Sequence, residues 1–225
     1  MLEIWKLLAA LPLPQLVSVS VIPVLFAVTM HEVAHGWIAK NLGDPTAQRL
    51  GRLSINPLRH IDPVGTVLIP GLLLISGARF MFGWAKPVPI TWENLRHPKR
   101  DMVLVALAGP GANLVMAFVW GLLAKISVTI LGPMVIVSKP LFYMGLVGIF
   151  FNVLLMVFNL LPIPPLDGGR VAVGLLPGPW GWRLSRIEPF GFFILIGLMI
   201  TNILWIVIYP IADLLMKIIM LLTGL

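Results

Sequence analysis

The sequence predicts a mainly α-helical, polytopic transmembrane bundle with minor β elements near the cytoplasmic face. Three observations predict it. Hydrophobic residues make up 59% of the 225-residue chain and charged residues 11%, against roughly 45–50% and about 25% in an average soluble domain. Apolar runs of about 20 residues, the length that crosses a bilayer, recur along the chain. Basic residues gather between those runs, as they do in cytoplasmic loops. The length, with no internal repeat, fits one integral-membrane domain over residues 1–225.

Taken in order, Met1 to Ala10 carries Glu3 and Lys6, and Pro12 and Pro14 interrupt the apolar run. This does not read as a cleaved signal peptide, so the first long apolar segment is expected to be retained. That segment, A, runs from about Leu16 to Ile38. Segment B, from about Val64 to Phe82, is shorter and contains Gly65, Pro70, Gly71 and Gly77. Segment C spans about Met102 to Ile130 and segment D about Leu141 to Leu161. Segment E starts near Phe190 and continues past Pro210, long enough for one kinked span or two.

Lys40, Arg49, Arg52 and Arg59 follow A. Lys86, Arg96, Lys99 and Arg100 follow B, and Arg170, Arg183 and Arg186 follow D. The positive-inside rule places all three stretches in the cytoplasm. Both ends of B then lie on one side, which favours a re-entrant or interfacial element over a true span. A, C, D and E cross, and the N-terminus is extracytoplasmic. Short strands are expected within Ala47 to Asn56 and Trp84 to Thr91.

The net charge is +7, with 16 Lys and Arg against 9 Asp and Glu. No basic stripe is interleaved with aromatic residues, so the excess points to lipid headgroups and cytoplasmic loops, not nucleic acid. The absence of cysteine removes disulfides, thiolate nucleophiles and thiolate metal ligands.

The sharpest feature is His31-Glu32-Val33-Ala34-His35, at the end of segment A. Histidines at i and i+4 share one helix face and can reach a single zinc ion (Zn2+). Glu32, beside them, suits a general base acting on water. Ionisable groups in a membrane helix are costly and mark functional sites. A catalytic zinc takes three protein ligands, so a third must be His, Asp or Glu. His60 and His97 lie in basic loops. Asp167 follows segment D in Asn159-Leu160-Leu161-Pro162-Ile163-Pro164-Pro165-Leu166-Asp167-Gly168-Gly169. The prolines end the helix, and the glycines permit a tight turn that would carry the carboxylate back towards A. Asp44, Asp62, Glu93, Asp101 and Glu188 read as caps or turn residues.

His31 to His35 and Asn159 to Gly169 together resemble the two signature motifs of the site-2 protease family of intramembrane zinc metalloproteases. Gly109-Pro110-Gly111-Ala112-Asn113 in segment C matches a third, less specific element. The resemblance covers roughly Val28 to Arg170. It implies that His31, His35 and Asp167 are zinc ligands and Glu32 the general base. It also implies that Asn159 contacts the substrate backbone or the oxyanion. Asn113 is a further candidate, read more as packing beside the site than as chemistry. A, C and D would form the catalytic core, placed in the membrane towards its cytoplasmic face, in the cell membrane.

The expected activity is hydrolysis of a peptide bond in or near the transmembrane segment of a single-span membrane protein. A membrane helix satisfies its own hydrogen bonds, so such a substrate must unwind locally first. A metal-ion transporter built on the same ligands would have no obvious use for Glu32. A catalytically silent membrane scaffold would not need the complete set of motifs.

Overall fold

The computed structural model describes residues 2–76, 83–132 and 134–225. Among the described residues, four helices are long and apolar enough to cross a membrane. The short helix α1 (Leu2–Ala9) precedes the first of them, α2 (Leu13–Asn41), which carries segment A. Pro12 and Pro14 bracket the start of α2, where a missing N–H costs no helical hydrogen bond. One turn, α3 (Thr46–Arg49), lies in the following loop. Segment B is a π-helical turn over Pro63–Leu68 continued by α4 (Ile69–Ile75). Segments C and D are α5 (Pro98–Thr129) and α6 (Val135–Asn159).

The connection after α6 carries α7 (Asp167–Leu175) and α8 (Gly178–Ser185). Segment E is two helices, α9 (Glu188–Ile200) and α10 (Ile203–Thr223). The break between them falls at Asn202, whose φ of 60° lies in the left-handed region.

Helices α5 and α6 pack antiparallel through small residues. A Cβ on Gly145 would meet Ala124, and one on Gly148 would fall within the Trp120 ring. Such close approach is what holds helices together in lipid, where no hydrophobic drive separates them from acyl chains. The main core lies here, around Leu146, Ile149 and Val153, with Ile208 and Met216 of α10 and Ile4 and Leu8 of α1 packed into it. Apolar side chains also face outwards: Ile206 is 71% and Leu221 79% exposed, as lipid-facing positions are.

Segment B returns to its own beginning. Trp84 N–H donates to Gly65 O at 3.1 Å, and the Thr66 hydroxyl donates to Trp84 O at 2.8 Å. A span would hold its two ends about 30 Å apart. Residues 77–82 of this segment lie outside the described residues.

The expected strands do not form among the described residues. Thr46–Arg49 is helical, and residues 83–91 form neither helix nor ladder. Their backbone groups pair singly with other partners. Lys86 N–H donates to His60 O, Val88 N–H to Glu32 and Thr91 N–H to Asp44. The two carboxylates take N–H groups that a neighbouring strand would otherwise have received.

Candidate metal centre

His31 and His35 are buried on the α2 face that meets α5. Helix α6 ends at Asn159, and the proline-containing loop then turns the chain so that Asp167 opens α7. Gly168 and Gly169 permit this by close approach. Their absent Cβ atoms would strike the backbone of Leu160, Leu161, Ile163 and Pro164. Asp167 is thereby brought to the histidine pair, while His60 and His97 are not.

The three ligand atoms form a small triangle. His31 Nε2 and His35 Nε2 are 3.0 Å apart, and Asp167 Oδ2 lies 3.2 Å from the first and 3.3 Å from the second. Tetrahedral zinc with bonds of about 2.0–2.2 Å sets its ligands roughly 3.3–3.6 Å apart. The triangle is close to one face of that tetrahedron.

Hydrogen bonds fix what these atoms offer. His35 Nδ1 lies 2.7 Å from Val105 O, a carbonyl that only accepts, so Nδ1 carries the proton. His31 Nδ1 lies 2.6 Å from Asn113 Oδ1. The Asn113 amide cannot be turned around, because its Nδ2 donates to Ala27 O at 3.0 Å and to Asn152 Oδ1 at 2.9 Å. His31 Nδ1 is therefore also the protonated nitrogen. Both Nε2 atoms present lone pairs to each other and to a carboxylate oxygen. Asp167 Oδ2 is buried with no hydrogen-bond donor among the described residues. Three acceptors at this spacing repel unless a cation lies among them, and two imidazoles with a carboxylate suit zinc.

Helix α5 lies flush against this triangle because residue 109 is glycine. A Cβ there would stand 2.6 Å from His35 Cε1 and 2.7 Å from His31 Cε1, and against His35 Nε2. Glu32, one position from His31, is half-buried, and its Oε2 accepts Val88 N–H at 2.7 Å. Asn113 is fully buried and holds His31 directly. Asn159 stands at the end of α6, where its Nδ2 donates to Leu155 O at 2.9 Å, within its own helix.

Asn152 was not singled out in the sequence, although an amide inside an apolar span is itself a signal. It receives Asn113 Nδ2–H and donates to Gly148 O at 2.8 Å. Of the cap candidates, Asp62 caps Val64 and Gly65, and Asp101 receives His97 N–H. Glu188 pairs with Arg170.

Apolar spans and a buried, lone-pair-lined His2Asp triangle define a membrane-embedded metalloprotein. Its relatives narrow this further. The chain is 37% identical over 194 residues to "Putative zinc metalloprotease YwhC" of Bacillus subtilis, covering 86% of this chain and 85% of that protein. It is 31% identical over 178 residues to "Putative zinc metalloprotease Rip2" of Mycolicibacterium smegmatis, covering 79% and 64%. It is 28% identical over 190 residues to "Putative zinc metalloprotease MJ0611" of Methanocaldococcus jannaschii, covering 83% and 81%. No family model and no solved structure matches the chain. The chain belongs to the site-2 protease family of zinc metalloproteases, and zinc is the metal this implies.

Proposed function

We propose that the protein is an intramembrane zinc endopeptidase that hydrolyses peptide bonds in or near the transmembrane segments of single-span membrane proteins. The observation that carries this reading is the convergence of three lone-pair ligands beside a glutamate on the same helix turn. His31, His35 and Asp167 hold the zinc, with α2, α5 and α6 as the catalytic core. When bound, zinc polarises a peptide carbonyl and makes water acidic enough, with a pKa of about 7, to attack at neutral pH.

Glu32 takes the proton from the attacking water and later delivers it to the leaving amine. Asn159, at the α6 terminus, is within the segment that leads to Asp167 and steadies the substrate backbone or the developing oxyanion. Val105 O and Asn113 Oδ1 keep both histidines in the tautomer that offers Nε2. The basic stretches support a position for this end of the bundle on the cytoplasmic side of the cell membrane.

The test is cleavage of a panel of tagged single-span substrates in detergent by wild type, Glu32→Gln, and wild type with chelator, with zinc measured in each. Cleavage by untreated wild type alone, with zinc retained by Glu32→Gln, is the expected result. Protein prepared without chelator that binds no zinc would sink the proposal.

A further inference from the structure

Glu32 is not free to swing. Its Oε2 accepts Val88 N–H at 2.7 Å, and the sequence around that donor is Pro87-Val88-Pro89. Neither proline has an N–H, so Val88 supplies the single backbone donor between Lys86 and Ile90. Pro89 also biases Val88 to extended backbone, which presents its N–H sideways.

The same peptide group is held at its other end. Arg52 Nη2 donates to Lys86 O at 2.8 Å and to Pro87 O at 3.3 Å. The Pro87–Val88 peptide thus lies between a guanidinium on its carbonyl and a carboxylate on its N–H. Each charge polarises the peptide in the direction that strengthens the other's hydrogen bond. The strap is seated as well. Val88 is buried over Gly36, the residue after His35, where a Cβ would stand 2.7 Å from Val88 Cγ1 and 2.6 Å from Leu53 Cδ2.

We propose that the Pro87–Val88 peptide, braced by Arg52 and seated on Gly36, is the positioning element of Glu32. It engages Oε2 and leaves Oε1 as the oxygen that exchanges the proton with water and with the leaving amine. This role rests on the protease reading. A base whose orientation is fixed before substrate arrives avoids reorganisation during the reaction.

Two measurements test it, one independent of turnover. In the first, Val88→Pro removes the donor and Val88→Ala keeps it. Val88→Pro is expected to lower kcat by about 10–100-fold, the usual cost of losing a group that orients an active residue. KM and zinc content should stay at wild-type levels, and Val88→Ala, which keeps the N–H donor but loses the Cγ1 seat on Gly36, should lose less kcat than Val88→Pro. Arg52→Gln should lower kcat in the same direction, with partial recovery in Arg52→Lys. Zinc content reports whether each variant has folded, and Arg52→Gln replaces Val88→Pro if the latter has not.

The second measurement is amide hydrogen exchange across residues 83–91. Glu32→Ala should speed exchange there, while Glu32→Gln, which keeps an acceptor, should do so less. Wild-type kcat in the folded donor or Arg52 variant, or exchange indifferent to Glu32→Ala, would overturn the proposal. Cleavage with Glu32-independent exchange removes the bridge and keeps the protease. Glu32-dependent exchange in a protein that cleaves nothing removes the protease and the catalytic role of the strap together.

Discussion

Asn113 Oδ1 stands 2.6 Å from His31 Nδ1, and that contact decides which nitrogen of the histidine faces Asp167. It can do so because Asn113 is itself oriented by two acceptors, Ala27 O and Asn152 Oδ1. Asn113→Leu removes the acceptor and frees the ring to flip or to move its proton. Zinc affinity should fall by about 10–100-fold, read by competition with a chromophoric chelator. Asn152→Leu should cost less, because Ala27 O still holds one amide hydrogen. The reverse order would show that the relay does not act through His31.

Gly109→Ala should abolish zinc binding without unfolding α5. Alanine is the better helix former, by about 1 kcal/mol, yet its methyl would stand 2.6 Å from His35 Cε1. Helix content by circular dichroism should therefore match wild type while the zinc stoichiometry drops. Full zinc occupancy in this variant would mean that α5 can move away at little cost.

The four long spans and the His31–His35 pair are legible in the sequence because each follows from one local rule: sustained apolar length, or a four-residue spacing on a helix. Asp167 is legible only as a carboxylate beyond a proline-broken helix. Nothing local separates it from His60 or His97 as a third ligand, since the choice depends on how the 160–166 loop folds. Asn152 and Val88 are harder still. One is a single amide in an apolar run, and the other acts through its backbone, to which a side-chain motif is blind. The expected strands fail for a related reason: extended character over 83–91 is readable, but its pairing partners are Glu32 and Asp44, distant in sequence.

Chelation should lower the thermal midpoint of the wild type. Removing zinc leaves two lone pairs and a carboxylate facing one another, with no donor to Asp167 Oδ2 among the described residues. A ligand present at a thousandfold excess over its Kd stabilises by about 4 kcal/mol, so the shift should reach several degrees. Asp167→Ala should show little further shift on chelation. Equal shifts in the two proteins would place the stabilising metal elsewhere.

Asp44 ties the end of α2 to Thr91 and Asn94, outside the four long helices. It receives Thr46 and Thr91 N–H groups, the Thr46 hydroxyl and Asn94 Nδ2. Burial pushes its carboxyl up, but these hydrogen bonds outweigh it and hold it below the ordinary 3.8. A lowered folded pKa stabilises at pH above the unfolded value, and that contribution is lost as pH falls through the folded one. Acid unfolding should therefore steepen below about pH 4 in the wild type and be shallower there in Asp44→Asn. At neutral pH, Asp44→Ala should cost about 1–3 kcal/mol by leaving the part-buried Thr46 and Thr91 donors without their acceptor, measured by denaturant melts in detergent.

Segment B offers a test of topology, aided by the absence of native cysteine. Leu58 and Arg96 flank it, Met134 lies in the α5–α6 connection, and Ser76 lies just past α4, at the far end of its described part. Single cysteines at Leu58 and Arg96 should react with an impermeant thiol reagent from the cytoplasmic side, and one at Met134 from the opposite side. The π-helical turn and α4 together hold 6 and 7 residues, about 20 Å of rise at 1.5 Å each, short of a hydrocarbon core of about 30 Å. With Trp84 bonded back to Gly65 and Thr66, a cysteine at Ser76 should stay unreactive from the Met134 side. Labelling from that side would make B a span, and the hydrogen bonds that close its ends could not both survive in the membrane.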